Sequence, residues 1–243
     1  MKLARPRRRP PATDLGYADL PRLMSLMTGD EKHTESATST LDVLWVLYDR
    51  VLKVSPETAR DPNRDRFLLS KGHGPMAFYA VLAAKGFIPV AALEDFGSFD
   101  SILGGHPDRN LIPGVEISSG SLGHGLGLGV GLALGLGLVG PGSGGHRSPR
   151  VFVMVGDAEL DEASNHEAIY FAGATGLERL TAIVIDNSSR THRVLGGLEG
   201  PFRVAGWEVR DVSGRDHAAL EAALAVPANG RPTAVIARVE RNS

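Results

Sequence analysis

Cysteine is absent from this chain of 243 residues. Its absence excludes disulfides, a thiolate nucleophile and thiolate metal sites, leaves oxygen and imidazole as metal ligands, and fits a reducing, cytoplasmic setting. Charge imbalance is also lacking. The formal net charge is -2, and no basic face emerges beyond the opening residues, so no nucleic-acid partner is expected. No apolar run can cross a bilayer: the most apolar stretch, Leu126 to Val139, is too short and is broken by glycine throughout. There is no internal repeat. The opening MKLARPRRRPP is cationic and proline-rich, with no apolar segment behind it to make a signal peptide and without the serines and amphipathic period of an organelle transit sequence. Residues 1–13 therefore read as a solvated, disordered arm, and residues 14–243 as one large α/β domain of sufficient length to bury a full core.

What the chain does have is alternation. Helical periodicity over Leu15 to Leu26 and Thr40 to Val54, a glycine-terminated helix over Pro75 to Gly86 and a short one over Val90 to Phe96 precede a long loop, Gly97 to Gly120. Loops of that length tend to be functional. Leu122 to Val139 reads as a helix striped by Gly123, Gly127, Gly131 and Gly135, a pattern that permits close backbone approach to another element or subunit. After a turn region at Pro141 to Pro149, strands at Val151 to Val155, Leu180 to Ile185, Trp207 to Val212 and Thr233 to Val239 alternate with helices at Asp161 to Thr175 and Asp216 to Ala225. The pattern predicts a three-layer α/β fold, a parallel sheet with helices on both faces.

Two of the strand-like runs end in oxygen donors. RVFVMV runs into Gly156-Asp157-Ala158-Glu159, and LTAIVI runs into Asp186-Asn187-Ser188. Asp157 and Asn187 should thus sit at carboxyl ends of neighbouring strands, where ligands bind in open α/β sheets. A carboxylate and an amide oxygen suit Mg²⁺, a hard ion that keeps phosphate oxygens in the rest of its octahedron. The expected ligand is a diphosphate.

This spacing resembles the thiamine diphosphate fingerprint, in which a GDG opens and an Asn pair closes a segment of a length compatible with a βαβ unit. Further stretches, in order, are similar to the cofactor-binding half of the transketolase family: Asp65 to Gly74 (DRFLLSKGHG), Gly105-His106-Pro107, Pro113-Gly114-Val115-Glu116, Ser119 to Gly125 (SGSLGHG) and Ala205-Gly206-Trp207. The resemblance runs from about Met24 to Pro232 and implies a thiamine diphosphate-binding fold.

By that resemblance, Mg²⁺ is held by Asp157, the Asn187 side chain and the main-chain carbonyl of Ser189, and the diphosphate lies against Gly156-Asp157-Ala158. Ala158 stands where the family has a third glycine. His33, His73 and His106 take the catalytic histidine positions near the donor sugar, with His73 also close to the cofactor. Gly120 and Leu122 contact the cofactor rings. Glu162 sits at a subunit interface beside the activating carboxylate of the other half, and Glu167 lies at the same interface. Independently of the family, Glu167 falls on the apolar face of its predicted helix, where an unpaired carboxylate is costly and a partner is required.

The resemblance further implies a thiamine diphosphate-dependent transferase that moves a two-carbon ketol unit from a ketose donor to an aldehyde acceptor. Imidazoles suit the proton handling at sugar hydroxyls, since they titrate near neutrality. The pyrimidine-binding domain, with its activating glutamate and the arginines that read a sugar phosphate, has no place in this sequence. The expectation is therefore a split enzyme whose partner is a pyrimidine-binding C-terminal subunit, in a heterotetramer with two of each chain. A non-catalytic scaffolding paralogue, or a ketol or acyl transferase of specialised metabolism, is the alternative.

Overall fold

The computed structural model describes residues 14–28, 34–139, 148–190 and 196–239. Five strands, β1 (Arg66–Leu69), β2 (Val151–Gly156), β3 (Leu180–Asp186), β4 (Glu208–Ser213) and β5 (Thr233–Arg238), form one sheet in the order β1-β2-β3-β5-β4, and every pairing is parallel. The helices are α1 (Leu20–Ser25), α2 (Thr34–Val46), α3 (Met76–Ala84), α4 (His124–Val139), α5 (Ala163–Ala174), α6 (Gly200–Val204) and α7 (His217–Ala225). A π-helical turn, Leu47–Val51, extends α2.

Strand alternation divides the interior into two cores. Phe152 and Met154 of β2 join Ile183, Ile185 and Val235 beneath α1, α2, α3 and α7. Val151, Val153 and Val155 join Ala182, Val184 and Ile236 beneath α4, α5 and α6. Successive strand residues point to opposite faces, so a run buried at every position, as Val151 to Gly156 and Leu180 to Ile185 are, must be covered on both sides. The three-layer parallel architecture predicted from the alternation is the one observed.

Several boundaries differ from the sequence expectation. The first helix begins as a 3-10 turn, Tyr17–Asp19, before α1. Val90 to Phe96 contains only the 3-10 turn Val90–Leu93. Strand β1 is absent from the sequence expectation, being only four residues long and ending in the polar SKGHG run, and α6 is hidden by its glycine and proline start. The arm at residues 1–13, His33 and most of the Pro141 to Pro149 turn lie outside the described residues.

Two helix faces are placed by the structure. Of the α4 glycines, Gly127, Gly131 and Gly135 meet nothing within 4 Å. The glycines that pack are Gly125, where a Cβ would stand 2.2 Å from Ser70 Cβ, and Gly129, where it would stand 2.3 Å from Val153 Cγ2. Glycine at these two positions lets α4 lie directly on the end of β1 and the middle of β2. On α5 the buried face is Asn165, Ala168, Ile169 and Ala172, and Glu167 is exposed. Its carboxylate, being solvated, needs no partner within this chain, and Tyr170 and Phe171 share the outward side of the helix.

Candidate functional site

The carboxyl ends of β1, β2 and β3 converge. Ser70 and Lys71 both donate backbone N–H to Met154 C=O, at 2.9 and 3.1 Å, carrying the β1–β2 ladder one step past the strand. Asp157 N–H likewise donates to Ile185 C=O at 3.0 Å. Lys71-Gly72-His73, Gly156-Asp157-Ala158 and Asn187-Ser188-Ser189 therefore occupy one edge of the sheet.

Asp157 is buried and anchors the turn after β3. Its Oδ2 accepts N–H donors from Ser189 at 2.8 Å and Arg190 at 3.3 Å; its Oδ1 accepts Ala158 N–H at 2.8 Å and the Ser189 hydroxyl. Arg190 is in turn paired with Asp161. Ser188 has φ +56°, a left-handed conformation that turns the chain back toward Asp157. Asn187 Oδ1, by contrast, is buried and has no hydrogen-bond partner. A buried amide oxygen left unpaired costs about 1–3 kcal/mol, which marks it as an acceptor awaiting a ligand. An oxygen-only donor set of carboxylate and amide fits Mg²⁺. All four lone-pair positions of Asp157 are taken by donors, of which the Ser189 hydroxyl is the one that could rotate away if Asp157 were to hold a metal.

A second carboxylate, to which no sequence motif points, organises the same edge. Glu159 is 1% exposed. Its Oε1 accepts from Gly123 N–H at 2.9 Å and from the Ser70 hydroxyl, and its Oε2 accepts from Gly156 N–H at 3.2 Å. Ser70 Oγ also accepts from Gly125 N–H at 3.0 Å. Burial pushes the Glu159 carboxyl up from its ordinary value, against those hydrogen bonds and the nearby Lys71 charge, which pull it down. Lys71, likewise outside the sequence expectation, is buried with its stem over Gly156; burial pushes its ammonium down to about 8, against the attraction of Asp157 and Glu159. The available signal for Lys71 is a charged residue just past an apolar strand and beside glycine; Glu159, between Ala158 and Leu160, carries none.

Of the remaining predicted residues, the structure brings together His73, His106 and Gly120. The two imidazoles meet edge to face with centroids 5.0 Å apart, both exposed on the open side of the sheet edge. A Cβ at Gly72 would stand 2.9 Å from Ser119 Oγ and 3.1 Å from His106 Cδ2, so glycine is required for this approach. Gly120 lies under the His106 ring, and Leu122, 39% exposed, follows it. Glu162 caps the start of α5 and packs on the Gly123 turn, which also accepts from Ser164 Oγ at 2.9 Å. A cavity of about 310 Å³ opens between Ser70, Ser119, Gly120 and His124.

An open parallel α/β sheet with glycine turns, a carboxylate and an unpaired amide at its carboxyl edge defines a phosphate-binding class of site. Over residues 25–239 the chain matches the family described as "Transketolase, thiamine diphosphate binding domain", and it belongs to that family. It is 35% identical over 220 residues to one component of the apulose-4-phosphate transketolase of Actinobacillus succinogenes, covering 87% of this chain and 77% of that protein. It is 52% identical over 235 residues to a protein of Rhodococcoides fascians named a ferredoxin, covering 95% of this chain and 74% of that one. Among solved structures, the transketolase from Leishmania mexicana superposes with a TM-score of 0.76 at 25% identity, covering 92% of this chain; this chain spans 36% of that one. Among the described residues, no helix is long and apolar enough to cross a membrane.

Proposed function

We propose that this chain is the diphosphate-binding subunit of a two-component transketolase-like enzyme. The observation that carries the reading is the buried, unpaired Asn187 Oδ1 beside Asp157 at the carboxyl edge of β2 and β3. In this reading Asp157, Asn187 and the Ser189 carbonyl hold Mg²⁺, and Gly156 and Ala158 lie against the diphosphate. Gly120 and Leu122 pack by the cofactor rings. When bound, thiamine diphosphate supplies the carbanion and electron sink for breaking and making a carbon–carbon bond. His73 and His106 face the sugar and exchange protons with its hydroxyls, a role extended to His33 by its place in the sequence. Glu162 reaches toward the partner's activating carboxylate.

The relatives' names support a split enzyme acting on a ketose: one is a transketolase component for apulose 4-phosphate, and another, 33% identical over 212 residues, is a 6-deoxy-6-sulfo-D-fructose transketolase subunit from Clostridium. The ferredoxin name of the 52%-identical relative offers no reading for these residues, since iron–sulfur clusters are held by cysteine and this chain has none. The partner is a pyrimidine-binding subunit, in a heterotetramer. The open apolar face of α4 and α5, with Gly127, Gly131, Leu128 and Tyr170, is the surface offered for assembly. The reaction is ketol transfer from a sugar or sugar phosphate to an aldehyde.

The test is an assay of ketol transfer with the chain alone, the partner alone and the mixture, using hydroxypyruvate or a ketose phosphate as donor. Activity only in the mixture, dependent on thiamine diphosphate, is expected. A mixture that binds thiamine diphosphate yet transfers no ketol unit from any donor would favour the scaffolding paralogue.

A further inference from the structure

The segment Pro107 to Ser119 is a closed loop. Ser119 N–H donates to Pro107 C=O at 3.2 Å, and Ser118 Oγ ties Arg109 N–H to Asp108 Oδ1, each at 3.1 Å. Its two ends carry His106 and Gly120 at the sheet edge. Its far side, with the Ala59 to Arg64 turn, encloses a separate cavity of about 370 Å³ near the amino end of β1, a size that suits a small metabolite. Arg60, Arg64 and Arg109 line that cavity, and the only carboxylate among its lining residues is Glu116.

The charges there do not balance. Glu116 is held by Arg64 at 2.5 Å, approached by Arg66 at 3.8 Å and also within the field of Arg109, while Asp61 acts on Arg66 and Asp65 is shared between Arg66 and Arg150. Arg60 and Arg109 make no ion pair or side-chain hydrogen bond among the described residues, and Arg64 Nε is buried with no acceptor. A concave site lined by one sign of charge concentrates counter-ions, and guanidinium forks match the oxygens of phosphate. Arg60, Arg64, Arg66 and Arg109 against Glu116 and Asp61, with Asp65 taken by Arg150, leave an excess of two positive charges, which a phosphate dianion would balance and a single carboxylate would not.

We propose that this cavity binds a phosphate monoester or inorganic phosphate, at a site distinct from the diphosphate cradle and independent of whether the chain performs ketol transfer. The Pro113-Gly114-Val115-Glu116 turn builds its wall: Gly114, at φ +84°, lies where a Cβ would stand 2.7 Å from Phe87. Since Arg109 lies on the same closed loop as His106, occupancy of the cavity holds the loop that presents the imidazole.

The test is equilibrium binding of inorganic phosphate to the purified chain, with ribose 5-phosphate and ribose as competitors. Saturable binding is expected in wild type and in Asp157→Ala, with at least tenfold weakening in Arg60→Ala/Arg109→Ala. Ribose 5-phosphate should compete, and ribose should not. Absence of saturable binding in wild type, or loss of binding in Asp157→Ala with retention in the double arginine variant, would overturn the proposal. Phosphate protection of Arg60 and Arg109 against phenylglyoxal, mapped by mass spectrometry on the wild type, gives a second reading that needs no variant. Unchanged modification rates at saturating phosphate would also overturn it.

Discussion

Glu159 accepts the backbone N–H of Gly123 at 2.9 Å, and through this contact the exit of β2 is fastened to the start of the glycine helix α4. The same carboxylate takes the Ser70 hydroxyl and Gly156 N–H. One buried side chain thus fixes the relative position of three turns that line the candidate site.

Glu159→Gln replaces one accepting oxygen by an NH₂ group facing N–H or O–H donors. A loss of about 2 kcal/mol in stability is expected, the cost of leaving buried donors unsatisfied. Urea unfolding of wild type and variant measures it; an unchanged midpoint would mean that the turns hold themselves.

The α4 glycines should separate into two classes. Gly125→Ala drives a methyl into Ser70, 2.2 Å from its Cβ and 2.9 Å from its Cα, and should destabilise by about 3 kcal/mol, as overpacking does. Gly127→Ala and Gly131→Ala meet nothing within 4 Å and should stabilise the isolated chain by about 0.5–1 kcal/mol each. If the open face is the assembly surface, these two substitutions will weaken association with the partner. Thermal melts of the chain, together with light scattering of the mixture, separate the two effects.

Asp42 is a buried carboxylate far from the site, accepting from Tyr17 Oη at 2.6 Å, Arg215 Nη1 at 2.7 Å and His217 Nε2 at 2.8 Å. Burial alone would raise its pKa, but these three hydrogen bonds, with the Arg215 charge, hold the carboxyl below its ordinary value. A depressed folded-state pKa contributes stability that is present above the unfolded value, about 3.9, and is lost as pH falls through the folded one. Asp42→Ala should cost about 3 kcal/mol at pH 7. The gap between wild type and variant should narrow below about pH 4; denaturant curves at pH 7 and pH 3 test both the size and the sign.

His73→Ala and His106→Ala should lower turnover of the reconstituted complex by about 10²–10⁴-fold, the range for general acid–base groups, with cofactor affinity within a few-fold of wild type. Their rings touch edge to face on the open side of the site, which is the geometry the proposed role at the sugar draws on. Steady-state kinetics beside cofactor titration distinguishes this from loss of cofactor.

The layered fold is legible because β2 and β3 carry near-continuous apolar runs, interrupted before their ends only by Thr181, which burial on both faces explains. Strand β1 escapes because four residues carry too little periodicity. The positions of Asp157 and Asn187 at strand ends follow from the same runs, whereas the meeting of His73 with His106 depends on a chain reversal through more than thirty residues that no local pattern encodes. Glu159 is visible only as one more acid in GDAELDE; its role arises from α4 folding back over β1, which is a tertiary fact. For Glu167 a helical wheel shows an apolar stripe without saying whether that stripe faces this chain or another; within this chain it is exposed.

If Asp157 and Asn187 hold a metal-bound diphosphate, calorimetric titration of thiamine diphosphate with Mg²⁺ into the complex of this chain with its partner will register the loss of either side chain. Wild type should bind saturably, with binding abolished by removal of divalent metal. Asn187→Ala and Asp157→Ala should each weaken binding by at least about tenfold, equivalent to ~1.4 kcal/mol. Affinities equal to wild type in both variants would contradict the assignment of the site.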